Sequence, residues 1–182
     1  MSAQKETLTL PKRLAPKGYS QITVGANLTG TITAATKANP AVITSAAHGL
    51  STGQKVKITA VVGMVELNGI TFTITRIDAN SFSLDGINST AYTTYVSDGT
   101  WTLEAMAVTV PDGATYALVQ CETQNFRWRD DGTDPTASVG MLLVAAAAYQ
   151  MLSVADLAAL KFIPVAATCK LNVAFYGEAA PE

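Results

Sequence analysis

One interruption constrains this chain more than any other feature. Ile22-Thr23-Val24 begins a β pattern that resumes only at Ala107-Val108-Thr109-Val110-Pro111, and residues 30–103 between them carry a compact β pattern of their own. Such a chain is expected to fold as one unit carried inside another. The reading is an extended N-terminal arm over residues 1–17, a host β-sandwich from residues 18–29 plus 104–182, and an inserted β-barrel with its own core over residues 30–103. Divided this way, 182 residues leave each part only a modest core.

Within the insert, short strand patterns recur between turn residues. Gly30–Ala34 alternates, Ala41–Thr44 follows the turn starter Asn39-Pro40, and Lys55–Thr59 alternates strictly. Val61–Leu67 and Ile70–Ile74 flank Asn68-Gly69, a pair that suits a tight hairpin. Ser81–Leu84, Tyr92–Val96 and Thr100–Thr102 complete the set. Even spacing of this kind predicts a small barrel. The host continues through Ala114–Glu122, Asn125–Arg129, Val139–Ala146, Tyr149–Ser153, Ala159–Ile163 and Lys170–Tyr176, giving an all-β, jelly-roll-like sandwich. Gly140–Leu152 is open to a helical reading, since Ala, Leu and Met favour helix. Two strands meeting at the alanines in a hairpin fit the surroundings better. A short helical turn is expected at Val154–Ala158, with Ser153 as its cap.

Composition narrows the function. Charged residues make up 14% of the chain, well below the roughly 25% usual in soluble domains, so much of the surface suits cover by a neighbouring subunit or is a bland Thr/Ala surface. A net charge of −2 argues against bulk nucleic-acid binding. The longest apolar run, Met141–Tyr149, is too short to span a bilayer, and Met1–Glu6 has no apolar secretory core.

Candidate chemistry is sparse. His48 is the sole histidine, and its neighbours Ala46, Ala47, Gly49 and Leu50 offer no catalytic partner, so it reads as a residue fixing a turn. Asp130, Asp131 and Asp134 could offer oxygen to a calcium ion, but their spacing is not that of an EF-hand loop. Alternation puts Arg127 and Arg129 on one face of a strand, paired with nearby carboxylates, with Trp128 turned toward the core. Asp130 and Asp134 are the one pair a polysaccharide hydrolase could use. Tyr92, Tyr95 and Trp101 are the set best suited to a shallow sugar-binding groove, with core or rim packing as the plainer account. Cys121 and Cys169 lie in apolar runs and read as buried free thiols. No cofactor or metal is expected. Lys12, Arg13, Arg127 and Arg129 are the candidate partner contacts.

Residues 33–44 (Thr33-Ala34-Ala35-Thr36-Lys37-Ala38-Asn39-Pro40-Ala41-Val42-Ile43-Thr44) with Ala47-His48-Gly49-Leu50-Ser51-Thr52-Gly53, residues 61–69 and residues 78–86 resemble a small β-barrel module of tailed-bacteriophage structural proteins. That module is often labelled as similar to a catalytic-cysteine half-domain of ubiquitin-activating enzymes. The host segments around Val110–Ala114, Phe126–Thr133, Asp156–Ile163 and Leu171–Tyr176 are likewise similar to small virion proteins. The resemblance implies a non-enzymatic particle component on the capsid exterior, assembled in the bacterial cytoplasm. It would decorate or cement the shell, or form a head fibre, with the major capsid protein and further copies in dimers or trimers as partners. The rival implication is a tail, collar or neck component whose insert binds a host surface glycan.

Overall fold

Alternation builds the clearest strand: Lys55, Lys57 and Thr59 face solvent while Val56 and Ile58 are buried, as a pleated segment covering a core on one side requires. The computed structural model describes residues 13–25, 27–146, 150–152 and 156–179. The strands are β1 (Leu14–Val24), β2 (Thr29–Thr31), β3 (Ala34–Ala35), β4 (Val42–Thr44), β5 (Lys55–Thr59), β6 (Thr71–Arg76), β7 (Ser81–Leu84), β8 (Thr100–Leu103), β9 (Met106–Ala107), β10 (Tyr116–Cys121), β11 (Phe126–Arg129), β12 (Met141–Leu143), β13 (Gln150–Leu152), β14 (Lys161–Pro164) and β15 (Cys169–Glu178). The fold is all-β.

One antiparallel sheet takes β2 to β8 in the order β2-β8-β5-β6-β7-β4-β3. Its two end strands are consecutive in the chain, so the sheet curls and closes on itself. The hand-over falls at two residues: Ile32 N donates to Gly99 O (2.8 Å) and Thr33 N to Thr44 O (2.9 Å). The predicted single strand Gly30–Ala34 is therefore bent into two. Closure removes the sheet's exposed edges. Trp101, Phe82, Ile32, Ile43, Ile58, Met64, Leu67 and Ile74 fill the interior. Trp101 donates its Nε1–H to Ser45 Oγ at 2.8 Å and meets Phe82 edge-on.

The other eight strands form two antiparallel sheets, β1-β15-β10-β13 and β12-β11-β14-β9. In order along the carrier, the first sheet takes its first, eighth, third and sixth strands. The second takes the fifth, fourth, seventh and second. This is the two-sheet jelly-roll arrangement, and the barrel lies in the connection between its first two strands. Phe175, Val173, Leu171, Val119, Ala117, Phe126 and Phe162 form the buried layer between the sheets.

The sheet ladders separate barrel from carrier, but packing does not. One connected apolar cluster runs from Trp101 and Val56 through Ile22, Val24 and Met106 to Phe175. The separate core expected for the insert is thus continuous with that of its host. The joint is also bonded. Gln54, 6% exposed, donates Nε2–H to Thr23 O (3.1 Å) and accepts from Ser51 N (2.9 Å). Asn27 Nδ2 donates to Ala47 O at 2.7 Å.

Several expectations need correction. Residues 14–17 of the predicted arm are the start of β1, paired with β15 across a bulge at Pro16/Gly18; residues 1–12 lie outside the described segments. Residues 61–67 are not a strand: only Val62 bridges, to Ser97, and Val65–Leu67 form one 3-10 turn. Residues 92–96 are irregular too, pinned by Glu66 Oε1, which accepts from Thr93 N (2.7 Å) and Oγ1 (2.9 Å). The strands on either side of the alanine run exist but do not form a hairpin. β12 pairs with β11 and β13 with β10, so the chain crosses between sheets there. The expected helical turn is a 3-10 turn at Leu157–Ala159, capped by Asp156, which accepts from Ala158 N at 2.8 Å. Ser153 lies outside the described residues.

Gly30 is a steric necessity, because a Cβ there would lie 2.6 Å from the Trp101 Nε1 and 2.7 Å from two of its ring carbons. Gly30→Ala should therefore cost about 1–3 kcal/mol by overpacking a rigid indole, read as a lower urea midpoint at unchanged m-value. An unaltered midpoint would show that the indole has room to shift.

Candidate functional site

Three backbone bonds define the role of the only histidine. Leu50 N donates to His48 Nδ1 at 3.0 Å, which makes Nδ1 the acceptor and places the proton on Nε2. Nε2–H then faces Asp78 O (3.0 Å) and Ser81 O (3.2 Å). His48 is 1% exposed, its ring edge-on to Phe82 at 5.2 Å. Asn80 reinforces the link: its O accepts from Ser45 N (2.8 Å) and its Oδ1 from Ala47 N (2.9 Å). His48 fixes a turn, as the sequence suggests, and the group has no lone pair left for chemistry.

Asn68 plays a similar part that the sequence reading missed. Its carboxamide accepts from Val61 N (2.8 Å) and donates to Val61 O (2.9 Å), clamping the loop before β6. Asn68 has φ −70° and only Gly69 is positive at +80°, so Asn-Gly here is not the tight hairpin turn expected. Gly69 and Ile70 instead pair with Ile58 across a wider loop.

The Arg/Asp cluster is internally paired. Arg129 forms a bidentate ion pair with Asp131, with Nε 3.1 Å from Oδ1. That guanidinium and Thr133 hold the Asp131 carboxyl far below the usual carboxylate range. Arg127 donates to Ala137 O (3.0 Å) and Gly140 O (2.8 Å), tying the loop before β12 to β11. Asp134 pairs with Lys161 at 2.5 Å. Among the described residues no group of three acidic, histidine or cysteine side chains converges as a metal site. Asp134 borders a hollow of about 320 Å³ between carrier and barrel, lined also by Glu104, Leu103, Pro135 and Ile163 but not by Asp130. Arg13 is exposed, its carbonyl accepting from Ala179 N at 2.9 Å. Lys12 lies outside the described residues.

For Tyr92, Tyr95 and Trp101 the plainer account, core and rim packing, holds over a sugar groove. Trp101 is fully buried, and Tyr92 and Tyr95 pack against the core, with the Tyr95 hydroxyl 2.9 Å from Asp98 O and 3.0 Å from Ile32 O. Both cysteines are free and buried. Burial raises the Cys121 thiol, and burial together with its neighbour Cys121 pushes Cys169 up to about 11.

A different feature stands out on the carrier. β12 is the terminal strand of its sheet, and Val139, Met141, Leu142 and Val144 on and beside it are 49%, 63%, 41% and 50% exposed. Its signal was visible in the sequence: no charged residue occurs between Asp134 and Asp156. Edge strands ordinarily carry charges or proline to prevent pairing.

Residues 38–104 match the family model described as the ubiquitin-activating enzyme E1 FCCH domain. The barrel is an FCCH-like module. The match covers the barrel from β4 to β8, leaving out β2 and β3, and well under half of the chain, and no curated protein matches the sequence. The FCCH-like module contains no cysteine, since Cys121 and Cys169 both lie in the carrier. The segments that carry the resemblance, around His48, Asn68 and Asn80, are the ones whose side chains lace the barrel together.

Because the thiolate is the reactive form, the native protein near neutral pH should react slowly with a thiol reagent, and two thiols per chain should react at once in denaturant. Raised folded values make the thiols a source of stability that is complete below the unfolded thiol range and fades as pH climbs toward about 11. Rapid native labelling would contradict the burial.

Proposed function

We propose that this chain is a non-enzymatic virion component that decorates or cements a phage capsid, with the carrier gripping the shell and the FCCH-like module projecting from it. The observation that carries the reading is the unguarded edge of β12. A charge-free strand with four exposed apolar side chains on and beside an open ladder is an aggregation hazard in a free protein. It is tolerable where a partner covers it for most of the protein's life. The major capsid protein fits that partner best, with a second copy across β12 as the other occupant. The phage resemblance of barrel and carrier segments and the jelly-roll topology support the reading, although fold by itself does not set function. The bonded joint favours it as well, because a module held by Gln54 and Asn27 is displayed at a fixed angle.

The test is decoration of stripped particles by Leu142→Lys and Met141→Lys variants. Each should bind the shell at least tenfold more weakly, about 1.4 kcal/mol per site, with unchanged thermal unfolding, and particles lacking the protein should lose resistance to heat. Full decoration by both variants would refute docking through β12, and labelling confined to a single vertex would move the protein to the neck or tail.

A further inference from the structure

The other sheet of the carrier presents a face of different chemistry. Along β10, Ala117, Val119 and Cys121 are buried, so Tyr116, Leu118 and Gln120 point outward. On β15 the buried Leu171, Val173 and Phe175 leave Asn172, Ala174 and Tyr176 outward, and on β1 Tyr19 and Gln21 are exposed. Register sets these side chains in rows across three strands: Tyr176 opposite Tyr116, Ala174 between Tyr19 and Leu118, and Asn172 between Gln21 and Gln120. Three of the chain's six tyrosines and three carboxamides thus share one face. The ionisable groups Lys170 and Glu122 sit at its margin, one row beyond.

The centre of this face is hollow and pre-organised. Ala174 is small, and Tyr19, Leu118, Gln120 and Asn172 surround it to leave a depression of about 280 Å³, close to the lower end of the ~300–1,000 Å³ range of ligand sites. Asn172 is fixed from both sides. Its Oδ1 accepts from the Tyr19 hydroxyl (2.5 Å) and Gln21 Nε2 (2.8 Å), and its Nδ2 donates to Glu122 Oε1 (2.8 Å). That bond locks Tyr19, 63% exposed, into a set orientation. The Gln120 carboxamide has no partner among the described residues and is left to offer a donor and an acceptor side by side.

We infer that this face binds a neutral pyranose glycan, with the Tyr19 ring as platform and Gln120 and Asn172 addressing hydroxyls. A sugar ring has an apolar C–H face and a rim of hydroxyls that both donate and accept. An aromatic plane with a polar edge meets the first, and uncharged carboxamides meet the second. A polyanion would require cations, of which the centre has none. An apolar partner would require more than Leu118 and Ala174. The site is on the sheet that does not carry β12, so the two surfaces can be disabled separately.

The experiment is ligand-observed saturation-transfer NMR on the full chain with a panel of neutral hexasaccharides: maltohexaose, cellohexaose, mannohexaose and chitohexaose. At least one should receive saturation at its C–H protons at millimolar concentration. The transfer should fall at least tenfold in Tyr19→Ala and in Gln120→Ala, and persist in Leu142→Lys. The Gln120 side chain makes no hydrogen bond among the described residues, so its variant reports on binding even if Tyr19→Ala is destabilised. No transfer from the whole panel overturns the inference. So does full transfer in Gln120→Ala, or a Tyr116→Ala variant that turns a self-associated protein into a monomer and so makes the face a contact between copies.

Discussion

The structure depends on one loop being held from two sides. Residues 45–54 are bonded inward to the hairpin at 78–81 through His48 and Asn80, and outward to the carrier through Gln54 and Ala47, with Gly49 packed close against Gly25. The closest of these contacts is backbone on backbone. A Cβ on Gly25 would lie 2.0 Å from Gly49 O, so only glycine lets the chain leaving β1 pass the loop. Gly49 itself has φ +69°, a conformation L-residues rarely adopt. The loop that His48 holds in shape is thus also the one that carries the bonds to the carrier. Thr168 N to Gly25 O (2.7 Å) carries the same constraint on into the sandwich.

An insert can occupy this position because its ends are neighbours. Thr29 pairs with Thr102, and Leu103 N donates to Leu28 O at 2.8 Å. The strands by which the chain enters and leaves the barrel thus form an antiparallel pair. To the carrier, seventy or so intervening residues look like a hairpin connection, and closing a long loop whose ends are already paired adds little entropy. The connection between β1 and β9 could be filled without altering the sandwich ladders. The apolar cluster is continuous and includes Ile22, Val24 and Met106 at the joint, which stiffens it.

Much of this was legible in residues whose signal is local. Lys55–Thr59 and Ser81–Leu84 appear as read, one from strict alternation, the other from the Asp78-Ala79-Asn80 and Asp85-Gly86 turns that bound it. The all-β class, the free thiols and the turn-fixing role of His48 were likewise readable. Failures came where long-range geometry decides. Gly30–Ala34 breaks because barrel closure hands it between β8 and β4. Residues 61–67 are apolar enough for a strand, yet the Asn68 side chain claims the backbone of Val61 instead. The alanine run crosses between sheets for a reason no local pattern records: β11 and β10, the partners of the strands it joins, belong to different sheets.

The family signature and the inferred functions lie in different residues, and this follows from what each must do. His48, Asn68 and Asn80 bond to backbone, so their chemistry is spent on holding the FCCH-like module's shape whatever the module is used for. The surfaces proposed to act are β12 and the tyrosine-carboxamide face, both on the carrier. Each would offer a weak contact: a short strand edge in one case, a shallow hollow in the other. Weak contacts become useful when copies are arrayed, because a held neighbour raises the effective concentration of the next binding event without any new interaction. A chain docked through β12 on a repeating shell would present its tyrosine face many times over, turning a millimolar sugar contact, about 4 kcal/mol alone, into firm attachment. The low charge of the surface fits the same logic, since a crowded lattice of strongly like-charged copies would repel itself.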